Sequence, residues 1–87
     1  MARYELRVRP SVAKDLRDVP KADVKCILTR MDDLRIDPRG AGCEKLSGAE
    51  LYRARQGAYR IVYQIQDEWL VVEVIRVGHR SEVYRSR

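Results

Sequence analysis

The spacing of apolar residues changes once along this chain, and that change limits the possible folds more than any other feature. From Val24 to Leu34, apolar side chains recur at i, i+3, i+4, i+7 and i+10, the pattern of a helix with one buried face. From Leu51 onwards apolar and polar residues alternate, which is typical of strands that bury one face. A helical half followed by a strand half predicts an α+β domain.

The first half should also contain a strand and a short helix. Residues 4–9 alternate between apolar and charged side chains, as a half-buried strand does. Pro10 suits the first position of a helix, and Pro20 separates that helix from the longer one that follows. Residues 42–48 have little apolar content, so we expect a loop there.

Three strands are expected in the second half, joined by tight turns at residues 57–58 and 67–68. These strands are residues 51–55, 59–65 and 69–77. Residues 1–87 should therefore form a single domain. In it, two N-terminal helices pack on one face of a small, mainly antiparallel four-stranded sheet.

The register of these strands should bring three arginines together. The odd-numbered residues of 59–65 are apolar and should pack under the helices. If residues 57–58 form a two-residue turn, Arg55 lies directly opposite Arg60 on the uncovered face. Arg53 then lies two residues further along the same face.

A group of like charges on one face needs an explanation. Directly opposed like charges on neighbouring strands destabilise a sheet by about 0.2 to 1 kcal/mol. Salt bridges to Glu50 or Glu73 are one explanation, but exposed pairs contribute only about 0 to 1 kcal/mol. The chain carries 18 Lys and Arg against 13 Asp and Glu, a net charge of +5. A bound polyanion is therefore the favoured explanation.

Further reactive side chains follow the last strand, namely His79, Arg80 and Tyr84. With the three arginines they would supply what RNA cleavage needs: charge for the transition state, a proton carrier and a platform for a base. RNA carries its own nucleophile, the 2′-hydroxyl, so no cofactor is expected. Cys26 and Cys43 lack the spacing of a zinc site, so no metal is expected either.

Four segments resemble the RelE family, within the RelE/ParE superfamily of toxins from type II toxin-antitoxin systems. They are residues 45–48 (KLSG), 51–55 (LYRAR), 57–63 (GAYRIVY) and 77–84 (VGHRSEVY). The resemblance implies a RelE-like, microbial-RNase-like fold and an mRNA interferase, which cleaves mRNA in the ribosomal A site by 2′-hydroxyl attack. It also implies three partners: the ribosome, mRNA and a cognate RelB-like antitoxin.

The resemblance also suggests roles for single residues. Arg60 matches the family's phosphate-clamping arginine, and Arg80 matches the arginine that stabilises the transition state or leaving group. Tyr84 matches a tyrosine that stacks on or orients a base. These residues and His79 form the predicted catalytic set.

Arg53 and Arg55 occupy positions where the family often has lysines, one of which has been proposed as a general base. An arginine, with a pKa above about 12, is a poor base at neutral pH. We therefore expect Arg53 and Arg55 to bind phosphate, and His79 to take the proton.

Two other functions fit the same residues. A ParE-type toxin of this fold inhibits DNA gyrase and needs no nuclease residues, and a non-catalytic RNA-binding protein needs only the arginines. In either case His79 would be a turn residue and Tyr84 an anchor for the C-terminal segment.

No segment of the sequence suggests export or membrane insertion. Residues 1–5 lead directly into a strand pattern, and no apolar run approaches the length of a membrane span. We therefore expect a cytoplasmic protein without a membrane partner.

Overall fold

Two helices and five strands make up the part of the chain that the computed structural model describes, residues 3–46 and 50–79. The elements in chain order are β1 Glu5–Val8, α1 Pro10–Arg17, α2 Lys21–Leu34, β2 Cys43–Lys45, β3 Leu51–Gln56, β4 Tyr59–Gln66 and β5 Val71–His79. The predicted α+β class, both helices and the four predicted strands are confirmed. The additional strand is β2.

Prolines set the start of both helices. Pro10 occupies the first turn of α1, where its missing N–H group removes no hydrogen bond, and Arg9 before it is extended. Pro20 is the extended residue that precedes α2. Neither helix, among the residues described, has both the length and the apolar character needed to cross a membrane.

The sheet is mixed and has the strand order β1-β5-β4-β3-β2. β1 runs parallel to β5, and the other neighbouring strands are antiparallel. The prediction of a four-stranded sheet was therefore wrong by one strand. β2 lies within residues 42–48, which we expected to be a loop, and it pairs with β3. A three-residue strand at a sheet edge is too short to show a period of two in the sequence.

One of the two predicted tight turns is correct. Gln56 pairs with Tyr59, so Gly57 and Ala58 form a two-residue turn. Gly57 has φ of +61°, which suits the first central position of a type II′ turn. The other connection is a four-residue loop, residues 67–70, because β5 begins at Val71 and not at residue 69.

The hydrophobic core lies between the helices and one face of the sheet. The helices contribute Val12, Ile27, Met31 and Leu34, and the sheet contributes Ala54, Ile61, Tyr63, Ile65, Val72, Val74 and Val77. The odd-numbered residues of β4 therefore do pack under the helices, as predicted. Leu28, which the helical pattern also placed in the core, is 51% exposed.

Candidate functional site

The three predicted arginines lie together on the sheet face opposite the hydrophobic core. Arg55 is directly opposite Arg60, and Arg53 is opposite Val62, two residues further along. Residues directly opposite each other share a face of the sheet. The predicted register is confirmed, and we call the surface formed by Arg53, Arg55 and Arg60 the arginine face.

The arginine face is less open than the sequence suggested. Arg55 is exposed, but Arg60 is only 7% exposed and the side chain of Arg53 only 13%. Both of these arginines make contacts within the protein. Their guanidinium groups are therefore held in place, and held charges stabilise a bound anion without a cost of reorganisation.

A carboxylate joins the arginine face from the edge strand. Glu44 in β2 lies directly opposite Arg53 and forms an ion pair with it. The hydrogen bond from Arg53 lowers the pKa of Glu44, and the charges of Arg55 and Arg60 lower it further. In the sequence Glu44 was a possible alternative base, but it was not selected because nothing in its spacing distinguishes it from an ordinary solvated carboxylate.

The carboxylates that could have paired with these arginines bind other residues. Glu73 binds Arg9, with 3.2 Å between Oε2 and Nε, and Glu50 lies 3.9 Å from Nζ of Lys45. Neither ion pair includes a residue of the arginine face. The opposed charges of Arg55 and Arg60 are therefore not explained by these two carboxylates.

His79 does not share the arginine face. It lies directly opposite Tyr59, and the two rings meet edge to face with centroids 5.7 Å apart. Tyr59 belongs to the face of β4 that the helices cover, whereas Arg60 lies opposite Gly78. His79 is therefore one residue beyond the arginine face along β5, with its side chain on the opposite side of the sheet.

A groove of about 340 Å³ lies beside His79, between the end of β5 and α1. Tyr59 and His79 form its aromatic side, and Asp18 lines it from the end of α1. The two other residues of the predicted catalytic set, Arg80 and Tyr84, lie outside the described residues.

The two cysteines are free thiols. Cys26 is exposed on α2, and Cys43 accepts a hydrogen bond from Nη2 of Arg30 at 3.5 Å. Among residues 3–46 and 50–79, no three His, Cys, Asp or Glu side chains are grouped so that they could hold a metal ion.

Comparison with known proteins identifies the family. Residues 6–84 match the model of the ParE toxin of type II toxin-antitoxin systems, parDE. The chain belongs to this toxin family. The predicted resemblance to toxins of the RelE/ParE superfamily is thereby confirmed.

Relatives of the toxin carry RelE-type names. It is 31% identical to toxin RelG of Mycobacterium tuberculosis over 86 residues, which cover 94% of this chain and 97% of RelG. It is 33% identical to toxin RelE of the same organism, over 94% of this chain and 87% of that protein.

Solved structures of RelE toxins share the fold. The toxin in the RelBE2 toxin-antitoxin complex of Mycobacterium tuberculosis superposes with a TM-score of 0.82 at 30% identity, covering 93% of this chain and 95% of that one. The isolated Escherichia coli RelE toxin gives a TM-score of 0.75 at 32% identity, covering 93% of this chain and 90% of that one. The two-helix, five-strand arrangement is therefore that of a RelE toxin.

Proposed function

We propose that this toxin is a ribosome-dependent mRNA endoribonuclease that stops translation by cutting mRNA in the ribosomal A site. The observation that carries the proposal is the pair of directly opposed arginines, Arg55 and Arg60, beside Arg53 on one face of the sheet. Directly opposed like charges cost a sheet some stability, and a bound anion offsets that cost. A phosphodiester supplies the anion, and the resemblance to the mRNA interferases of the RelE family favours mRNA as its source.

The proposed reaction needs no nucleophile from the protein. The 2′-oxygen of the RNA attacks the adjacent phosphorus, and the bond from phosphorus to the 5′-oxygen of the next nucleotide breaks. The products end in a 2′,3′-cyclic phosphate and, once the leaving 5′-oxygen has taken a proton from water, a 5′-hydroxyl group. Arg60 clamps the phosphate and, with Arg53 and Arg55, stabilises the charge that develops on its oxygens.

A proton must leave the 2′-hydroxyl during the attack. On the arginine face the available carboxylate is Glu44, which is ionised at neutral pH like an ordinary glutamate and whose pKa the hydrogen bond from Arg53 lowers further. We therefore assign proton removal to Glu44 instead of His79, whose imidazole lies on the other side of the sheet. From the family resemblance we retain Arg80 for the leaving group and Tyr84 for the base.

A cognate RelB-like antitoxin is the proposed protein partner. Two related toxins have been crystallised with their antitoxins, RelBE2 from Mycobacterium tuberculosis and the RelE–RelB complex from Pyrococcus horikoshii. A net charge of +5 favours an antitoxin segment that is acidic. Such a segment would cover the arginine face and exclude mRNA.

The test is cleavage of a defined mRNA on translating ribosomes, with the cut sites mapped by primer extension. We expect cuts within A-site codons, and Arg60→Ala should lower the rate by about 100-fold or more, since an electrostatic donor to the transition state is lost. Arg7→Ala is the matched control, because Arg7 is an exposed strand arginine that pairs with Glu5 instead of joining the cluster. Circular dichroism should show that both variants fold.

Other outcomes would point elsewhere. If Arg60→Ala cuts as fast as the wild type, the assignment of the arginine face fails. Intact mRNA together with inhibited supercoiling by DNA gyrase would favour the ParE-type function instead. Binding to RNA without new 5′ ends would indicate a non-catalytic RNA-binding protein.

A further inference from the structure

The groove beside β5 is a cavity that adjoins the candidate site. β1 pairs with β5 only as far as Val74, so the outer edge of β5 beyond that point lies beside α1 instead of a strand. The groove of about 340 Å³ occupies the space between them, near the lower limit for pockets that hold small ligands. It opens next to His79 at the end of β5.

The groove is poorly suited to a peptide strand. A strand added to β5 would need the outward-pointing backbone groups of that edge. The N–H group of Val77 already donates to Oδ2 of Asp15 in α1 at 2.9 Å. A charged side chain held against the edge in this way blocks strand addition.

Its lining suits a single nucleotide better. The rings of Tyr59 and His79, at 88° to each other, offer an aromatic surface on which a base can stack. Lys14 lies at the rim and has no ion-pair partner within residues 3–46 and 50–79, so it is placed to bind a phosphate there. Of the two lining carboxylates, that of Asp15 already accepts a hydrogen bond from the N–H group of Val77.

The carboxylate of Asp18 adds selectivity to this surface. Asp18 is exposed at the end of α1 and makes no ion pair with another described residue. A carboxylate can only accept hydrogen bonds, so it pairs with an exocyclic amino group such as N4 of cytosine. Uracil presents a carbonyl oxygen at the same position, and two acceptors cannot pair.

Gly78 connects the groove with the arginine face. It lines the groove and lies directly opposite Arg60, so the two surfaces adjoin at this residue of β5. We propose that the groove between α1 and β5 binds one base next to the cleaved bond and, through Asp18, prefers cytosine to uracil. This inference rests on the proposed nuclease function and adds a specificity site to it.

His79 offers a direct test of occupancy, because it is the single histidine of the sequence. Its ring C–H signal in a proton NMR spectrum of the full chain can be followed while a 2′-deoxy trinucleotide, which cannot be cut, is added. We expect the cytosine trinucleotide to bind at least about 10-fold more tightly than the uracil trinucleotide, because one hydrogen bond to a charged group strengthens binding by about that factor or more.

Asp18→Asn should reduce that preference to about 2-fold or less, because an amide can donate to uracil as well as accept from cytosine. Asp33→Asn is the matched control, since Asp33 is an exposed helix carboxylate that does not line the groove. It should keep the wild-type preference.

Each result has a distinct meaning. If mRNA is cut in the A site but neither trinucleotide moves the His79 signal, or both bind equally, the base site is refuted while the nuclease stands. If the signal responds with the expected preference but no mRNA is cut, the nuclease proposal fails alone. A signal that moves only with a peptide of the antitoxin would assign the groove to a protein partner and overturn the inference.

Discussion

Replacing Arg55 with threonine should make the protein more stable and less active at the same time. Arg55 lies directly opposite Arg60, and Arg60 is only 7% exposed, so the guanidinium group of Arg60 is held beside the exposed side chain of Arg55. Threonine keeps a β-branched side chain that suits a strand. The substitution removes the repulsion between two like charges and takes one guanidinium from the phosphate site.

The size of the gain follows from the geometry of the pair. Like charges directly opposite each other destabilise a sheet by about 0.2 to 1 kcal/mol. Two unit charges about 6 Å apart in water repel by about 0.7 kcal/mol, and partial burial increases that figure. We therefore expect the free energy of unfolding to rise by about 0.5 to 1 kcal/mol. For a domain of this size, that corresponds to a rise in Tm of about 2 to 8 °C.

Urea unfolding followed by circular dichroism should measure this gain, with an unchanged m value. At 1 M salt the Debye length falls to about 3 Å, so most of the gain should disappear. Arg7→Thr is the matched control, because Arg7 lies on a strand opposite Glu73 and pairs with Glu5. A variant Arg55→Thr that is less stable than the wild type, or a gain that salt does not reduce, would refute the reasoning.

Two further substitutions test the core and the proton acceptor. Tyr63→Phe should lower the free energy of unfolding by about 1 to 3 kcal/mol in a urea titration, because the buried hydroxyl donates to the carbonyl of Pro38 at 2.6 Å. Burial raises the pKa of Tyr63, so this tyrosine contributes its full stabilisation below pH 10 and a decreasing one as the pH rises above 10. The difference in the free energy of unfolding between the wild type and Tyr63→Phe should therefore become smaller above pH 10. If Glu44 takes the proton, the cleavage rate should stay constant from pH 5.5 to 7.5, because Arg53 lowers the pKa of Glu44, and it should fall strongly in Glu44→Gln. A rate that falls strongly in His79→Gln but not in Glu44→Gln would identify His79 instead.

Local signals were enough to predict most elements of the fold. Prolines mark the start of each helix, and the apolar spacing identified the buried positions Ile27, Met31 and Leu34. The two-residue turn at Gly57 and Ala58 fixed the register of β3 and β4, so the pairing of Arg55 with Arg60 follows from the sequence alone. These features depend on residues that are close in the sequence.

Features that depend on distant partners were not predictable in the same way. β2 contains only three residues, and it is defined by its pairing with β3 instead of by its own pattern. Because β2 was not predicted, the sequence could not show that Glu44 lies beside Arg53: a residue in a loop has no fixed position relative to a neighbouring strand. The parallel pairing of β1 with β5 joins the two ends of the described chain and has no local signal either.

One irregularity in β5 determines on which face of the sheet His79 lies. From Val71 to Val74 the residues of β5 pair with β4 in one register, and from Arg76 to His79 the register is shifted by one residue. A single extra residue, Ile75, lies between the two parts, as in a β-bulge. Because side chains alternate with a period of two, such an insertion moves every later side chain to the other face.

Without the bulge, His79 would share the face of Arg60, as a catalytic histidine beside the phosphate should. With the bulge, Val77 enters the core instead, Arg76 lies opposite Val62, and His79 lines the groove beside α1. The sequence does carry the signal, because Val74 and Ile75 are adjacent apolar residues that interrupt the alternation. The bulge thus places the arginine face and the imidazole on opposite sides of one strand end, where we propose that the first binds the phosphate and the second stacks on a base.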